Sequence, residues 1–162
     1  MNKPPTRLER IDYETLNSRQ KENYNFQKAS AVLADYGFVT LRLSDDWQGA
    51  DSIAHHVSGD LSLKVQLKSR LTVAKKYENK DIWICFNYRY RSAWYLFLHD
   101  VFLRWALENL NIGSTKSWKG LGVYHWPSLS NDLLSWLSDY ALTMEETLEH
   151  IRRTPDAHSI VH

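Results

Sequence analysis

Cysteine is nearly absent from this chain of 162 residues: Cys85 stands alone. No disulfide can form within one chain, and a cysteine-rich metal site is excluded. The run Ile82-Trp83-Ile84-Cys85-Phe86 around it is apolar, which predicts a buried, inert thiol. Long hydrophobic runs are also missing. The most apolar window, residues 93–98, ends at His99-Asp100 and is too short to span a bilayer. Residues 1–11 are polar, carry Pro4-Pro5 and lack the apolar core of a secretion signal. These gaps predict a soluble, cytoplasmic protein with no membrane contact. Charge of one sign is scarce as well. The formal net charge is +1, so no protein-wide basic field is available to attract nucleic acid. No Gly-rich phosphate loop, HExxH pair or GxSxG elbow occurs.

Aromatic residues are abundant, at 13% with seven Trp and nine Tyr. Most are expected in the core, with some free to stack on bases or grip a partner. The length suits one domain with a substantial core. Apolar content of 43% and charged content of 24% are ordinary for a globular protein. Basic residues are unevenly spread. Between Lys64 and Arg91 the cations far outnumber the acids, which there are Glu78 and Asp81.

Residues 1–13 read as a flexible N-terminal arm. Residues 14–36 read as a helix, with Phe26, Ala29, Leu33 and Tyr36 as its apolar stripe and Gly37 at its end. Strands are predicted at 38–43, 51–57, 61–69, 81–86, 93–98 and 121–126. Residues 44–50 read as a turn-rich loop, 58–60 as a tight turn closing a hairpin, and 70–79 as ambiguous. Asp100 is placed to cap a helix to Leu110, and Ser130 to cap one to about Tyr140. Thr143 and Glu146 form a capping box for a last helix to about Arg153. The organisation expected is a 14–126 α/β core, a 127–154 helical extension and a 155–162 tail. The order fits a three-layer core with a mixed central sheet flanked by helices.

The most informative stretch is Leu61-Ser62-Leu63-Lys64-Val65-Gln66-Leu67-Lys68. Its strict alternation is that of a half-buried strand and puts Gln66 and Lys68 side by side on the polar face. Asp51, in a Gly49-Ala50-Asp51 turn, lies upstream across the hairpin. Phosphodiester hydrolysis needs charge stabilisation at the phosphoryl oxygens and an activated water, and a hard cation on oxygen ligands can supply both. Asp51 suits that ligation, Gln66 offers an amide oxygen without charge, and the backbone carbonyl of Leu67 is a further oxygen. Lys68 can stabilise developing charge or orient the water.

These residues resemble the PD-(D/E)XK phosphodiesterase superfamily, which includes restriction endonucleases. The match is Gly49-Ala50-Asp51 followed by Val65-Gln66-Leu67-Lys68-Ser69-Arg70, with a helix before them, over roughly residues 14–98. It departs from the family at Gln66, where most members carry an acid. The resemblance implies a restriction-endonuclease-like core and a Mg²⁺-dependent (or Mn²⁺-dependent) DNA endonuclease acting on duplex or branched DNA. It implies a helical Glu at the site too. Glu22 continues the apolar stripe toward the sheet and is favoured, whereas Glu14 is explained by its place near the helix start. Lys64, Arg70, Lys75 and Lys76 would contact phosphates. Cutting both strands commonly uses two active sites, so a homodimer is one arrangement, and the oligomeric state is open.

Two other readings stand beside this one. A degraded nuclease fold could bind DNA without cutting it, Gln66 being the visible loss. An aromatic-rich, dimeric interaction module could use Trp94, Trp105, Trp118, Trp126 and Trp136. Weaker candidates are histidines. His55 and His56 point to opposite strand faces and cannot chelate together, and His150, His158 and His162 lack metal-binding spacing.

Overall fold

The computed structural model describes residues 6–142. The capping box at Thr143, the last helix with His150, the tail with His158 and His162, and the first five residues of the arm lie outside the described residues.

A 3₁₀ turn at Tyr13–Thr15 precedes the first helix, α1 (Ser18–Ala34). The helix starts later than the sequence pattern predicts because Asn17 caps it. Asn17 Oδ1 accepts the Gln20 N–H while the Gln20 side chain accepts the Asn17 N–H. It ends before Tyr36, so that residue is exposed. Its buried positions are Asn25, Ala29 and Leu33, the first of which is polar.

Strands β1 (Phe38–Trp47), β2 (Ala50–His56), β3 (Ser62–Lys68), β5 (Ile82–Tyr88) and β6 (Ala93–Leu98) form one sheet in the order β1-β2-β3-β5-β6. Only β3 and β5 run parallel, so the sheet is mixed. The expected hairpin is β2–β3, with Ala54 opposite Leu63. The expected loop at 44–50 is instead a long strand and a two-residue turn. Gln48 and Gly49 both take positive φ (53° and 90°), and Trp47 pairs with Ala50. Asp51 therefore sits at the start of β2, as the predicted 51–57 strand has it, and the turn itself is Gln48-Gly49. Between Arg42 and Trp47 the register slips, so residues 43–46 bulge out opposite Asp51.

The ambiguous 70–79 segment holds β4 (Thr72–Ala74), which pairs with β7 (Val123–His125) in a second, two-stranded sheet. Helix α2 (His99–Asn109) follows β6 directly. Asp100 does not cap it. Its carboxylate accepts the Asn79 N–H at 2.8 Å and faces His99 Nδ1 at 2.8 Å. Helices α3 (Lys116–Gly120) and α4 (Asn131–Ser138) complete the described fold, with Ser130 capping α4 as expected.

Alternation along the strands sends apolar side chains to both sheet faces. Ala54, Leu63, Val65 and Cys85 meet Ala29 and Leu33 of α1. Ile82, Ile84, Phe86 and Phe97 meet Leu71, Val73, Tyr77, α2 and α4 on the other face. This is the α/β architecture with helices on both faces that the element order predicts. Trp118 is buried there, while Trp105, Trp126 and Trp136 pack against the same cluster, so the core absorbs much of the aromatic load. Among the described residues no helix is long and apolar enough to cross a membrane.

Candidate functional site

Asp51, Gln66 and Leu67 converge on a cleft of about 360 Å³ at the start of β2 and the end of β3. Asp51 Oδ2 accepts the Leu67 N–H at 3.1 Å, and Oδ1 accepts the Ser52 hydroxyl at 3.0 Å. The carboxylate is thus held by the residue between Gln66 and Lys68. Burial pushes the Asp51 carboxyl above the usual carboxylate range, while the Leu67 amide, Ser52, Lys68 and Arg42 pull it back down. Burial likewise lowers the Lys68 ammonium, and Asp51 and Asp46 oppose that. Two groups whose desolvation disfavours their charges stand beside each other, and each offsets part of the other's burial penalty.

The face bearing Gln66 and Lys68 is not open to water as an amphipathic strand suggests. Register places Gln66 beside Ile84 and Lys68 beside Phe86, both core residues. Lys68 Nζ lies 5.4 Å from the centroid of Tyr77, which is almost fully buried. Lys76 Nζ approaches the same ring at 5.1 Å.

Glu22 lines the cleft, but its side chain is 67% exposed and pairs with Arg42 at 3.4 Å. The carboxylate is satisfied by Arg42 on β1 rather than by burial beside Asp51. Arg42 also bonds Asn23 Oδ1. Glu14 lies apart, paired with Lys21 at 3.2 Å. Among the described residues no three His, Cys, Asp or Glu side chains gather closely enough to hold a metal. The predicted phosphate-contacting cations spread around this region. Lys64 bonds Gln48 Oε1 at 3.2 Å, Lys75 lies over Trp118, and Arg70 is exposed just beyond Lys68.

Several wall residues escaped the sequence reading. Asp45 and Asp46 line the cleft because the β1 bulge carries them there. Asp46 Oδ1 accepts the Gly49 N–H at 2.6 Å, tying the bulge to the turn before Asp51. Their one sequence signal was an Asp-Asp pair just before Gln48-Gly49. Asn25 also lines the cleft. Its Nδ2 donates to the Tyr13 hydroxyl at 2.9 Å, and its buried Oδ1 has no hydrogen-bond partner among the described residues. His55 and His56 are occupied by Ser62 and Ser58 through their Nδ1 atoms.

Below Tyr77 sits His99, fully buried and in edge contact with that ring at 5.4 Å. Its Nε2 accepts the Ala74 N–H at 3.2 Å, so Nδ1 carries the proton toward Asp100. Burial lowers the imidazole from its usual value of 6.5, against the pull of Asp100. Just below pH 6.5 the unfolded chain therefore binds a proton that the folded chain refuses, and stability falls as pH drops. The slope from this group is at most about 1.4 kcal/mol per pH unit. Urea denaturation across this range should show a shallower pH dependence in His99→Gln; equal slopes would remove His99 from the acid response.

No family model matches the chain, and no curated protein matches it. Among solved structures a bacterial homing endonuclease, I-Ssp6803I, is similar, with a TM-score of 0.45 and 19% identity over 71% of this chain and 78% of that chain. A likeness at that level carries no argument about chemistry.

Proposed function

We propose that this chain is a metal-dependent DNA endonuclease of the PD-(D/E)XK kind, working on duplex or branched DNA. One observation carries the reading: the Asp51 carboxylate accepts the Leu67 N–H. That bond joins the acid of one strand to the Gln66-x-Lys68 element of the next, the juxtaposition the chemistry requires.

The donor set fits a hard cation. Asp51 gives a carboxylate, Gln66 an amide oxygen and Leu67 a main-chain carbonyl. In a strand a residue's N–H and C=O point the same way, so the Leu67 carbonyl lies on the Asp51 side. Oxygen ligands with few charges suit Mg²⁺, which keeps several of its waters. The orphaned Asn25 Oδ1 on the cleft wall is an acceptor that such a water could satisfy. A cation bound there would neutralise phosphoryl charge and acidify its water. Lys68, whose charge Asp51 favours against burial, would face the phosphorus and stabilise charge on its oxygens. Glu22 is the weaker member, because Arg42 already neutralises it. Lys64, Arg70, Lys75 and Lys76 would hold backbone phosphates, which makes binding salt-dependent.

Plasmid nicking in Mg²⁺ or Mn²⁺ tests the reading. Asp51→Asn should lose nicking that Glu22→Gln largely keeps. Equal cleavage by wild type and Asp51→Asn would sink it. The neutral Gln66 and the lack of an acidic triad among the described residues favour one second reading, a binding protein on the same fold. It predicts salt-sensitive DNA affinity indifferent to Mg²⁺ and unchanged in Asp51→Asn.

A further inference from the structure

A second cavity, of about 440 Å³, lies beside the candidate cleft at the carboxyl ends of the parallel strands β3 and β5. Ser69 lines both, so the two cavities adjoin at the end of β3. Its volume lies in the range of ligand sites. Phe86, Tyr88, Tyr90 and Trp126 supply aromatic walls. Tyr88 stacks on Phe86 with centroids 6.2 Å apart and planes 29° apart. Tyr90 is 86% exposed and tilts against Tyr88 at 5.7 Å. This exposed ring, unlike the tryptophans of the core, is not used to stabilise the fold.

Two polar features narrow the occupant. Arg70 brings a cation to the wall, and Glu14 at the same cavity is already neutralised by Lys21. Asn87 lines the cavity too. It is only 9% exposed, and its side-chain amide has no hydrogen-bond partner among the described residues. Its amide meets water only at the cavity wall, which leaves both its donors and its acceptor to read an occupant. The occupant should thus be flat, stack on aromatic faces and offer both donors and acceptors along one edge. A nucleobase has these properties. A phenyl or indole side chain from a peptide lacks the edge that Asn87 can read. Bases inside a duplex cannot enter, because their faces are already stacked.

We propose that this cavity takes one unpaired nucleobase from nucleic acid lying in the candidate cleft, and the proposal rests on the nuclease reading above. It makes the protein selective for DNA with an extrahelical or single-stranded base next to the scissile phosphate. Asn87 and Tyr90 are the residues that set this selectivity.

Binding of the full chain, in the absence of divalent metal, to a duplex with one bulged 2-aminopurine and to its fully paired counterpart is the test. Wild type should prefer the bulged DNA, and the 2-aminopurine fluorescence should change on binding. Tyr90→Ala and Asn87→Ala should weaken the bulged DNA by roughly five- to 150-fold and leave the paired duplex unchanged. Tyr90→Ala removes an exposed ring, so it reads out even if Asn87→Ala fails to fold. Equal affinity for the two DNAs, equal weakening of both by Tyr90→Ala, or a silent fluorophore would each overturn the proposal. Failure of the nuclease reading shows separately, as nicking unaffected by Asp51→Asn while the bulge preference persists. Binding of neither DNA would overturn both.

Discussion

Lys68→Ala is expected to lower Mg²⁺-dependent plasmid nicking by about 10²–10³-fold, the usual loss when one group that stabilises transition-state charge is removed. Lys68→Met should lose as much. Met keeps a long apolar stem against Tyr77 and removes only the ammonium, so a matching loss assigns the effect to charge and not to packing. The thermal midpoint of Lys68→Met should move little, since the sheet pairing of β3 with β5 does not depend on that charge. DNA affinity without metal should also survive in large part, because Lys64, Arg70, Lys75 and Lys76 remain. Nicking by Lys68→Met at the wild-type rate would remove the lysine from the chemistry.

The largest expected effect on stability belongs to Gly49→Ala. Gly49 takes φ +90°, and a Cβ there would stand 2.9 Å from Tyr77 Cδ1 and 3.2 Å from Cε1. Tyr77 is 1% exposed and braced from behind by the His99 ring, so it cannot retreat. The left-handed backbone costs about 1–2 kcal/mol and overpacking about 1–3 kcal/mol more. The sum, roughly 3 kcal/mol, should lower the thermal midpoint by about 6–12 °C for a chain of this size. Gly59→Ala is the matched control. Gly59 has φ +85° with nothing within 4 Å, so it carries the backbone term alone. Gly49→Ala no more damaging than Gly59→Ala in calorimetry would refute the contact with Tyr77. The same ring lies under Lys68, so Gly49→Ala should depress nicking even at temperatures where it is folded.

The pairing of Asp51 with the Gln66-Leu67-Lys68 strand was legible because period-two alternation and a Gly-containing turn are local signals. Strand β6 and the Ser130 cap were legible for the same reason. Strand β7 lies within the predicted 121–126 strand, but its partner β4 and their pairing were not legible. Each strand has three residues, and Thr72 finds His125 only through the tertiary fold. The β1 bulge hid in a stretch of Ser, Asp and Gly that reads as loop, so nothing marked Asp45 and Asp46 as lining the cleft. Glu22 was read as a buried acid because it continues the stripe of α1, and its partner Arg42 lies on another element, out of reach of helix periodicity. Asn25 was passed over since polar residues on an apolar helix face carry no pattern. Tyr77 and His99 had no local signal either, being set by contacts between β3, α2 and the turn at Gly49.

The thiol of Cys85 has a practical use. It sits at the middle of β5, between Leu67 of β3 on one side and Leu96 of β6 on the other, with burial pushing its ionisation up to about 12. A thiol reagent in water reaches it only when the sheet parts. As the chain has no second cysteine, each modification counts one opening of the molecule's centre. The protein carries its own clock for whole-sheet opening, which needs no engineered label.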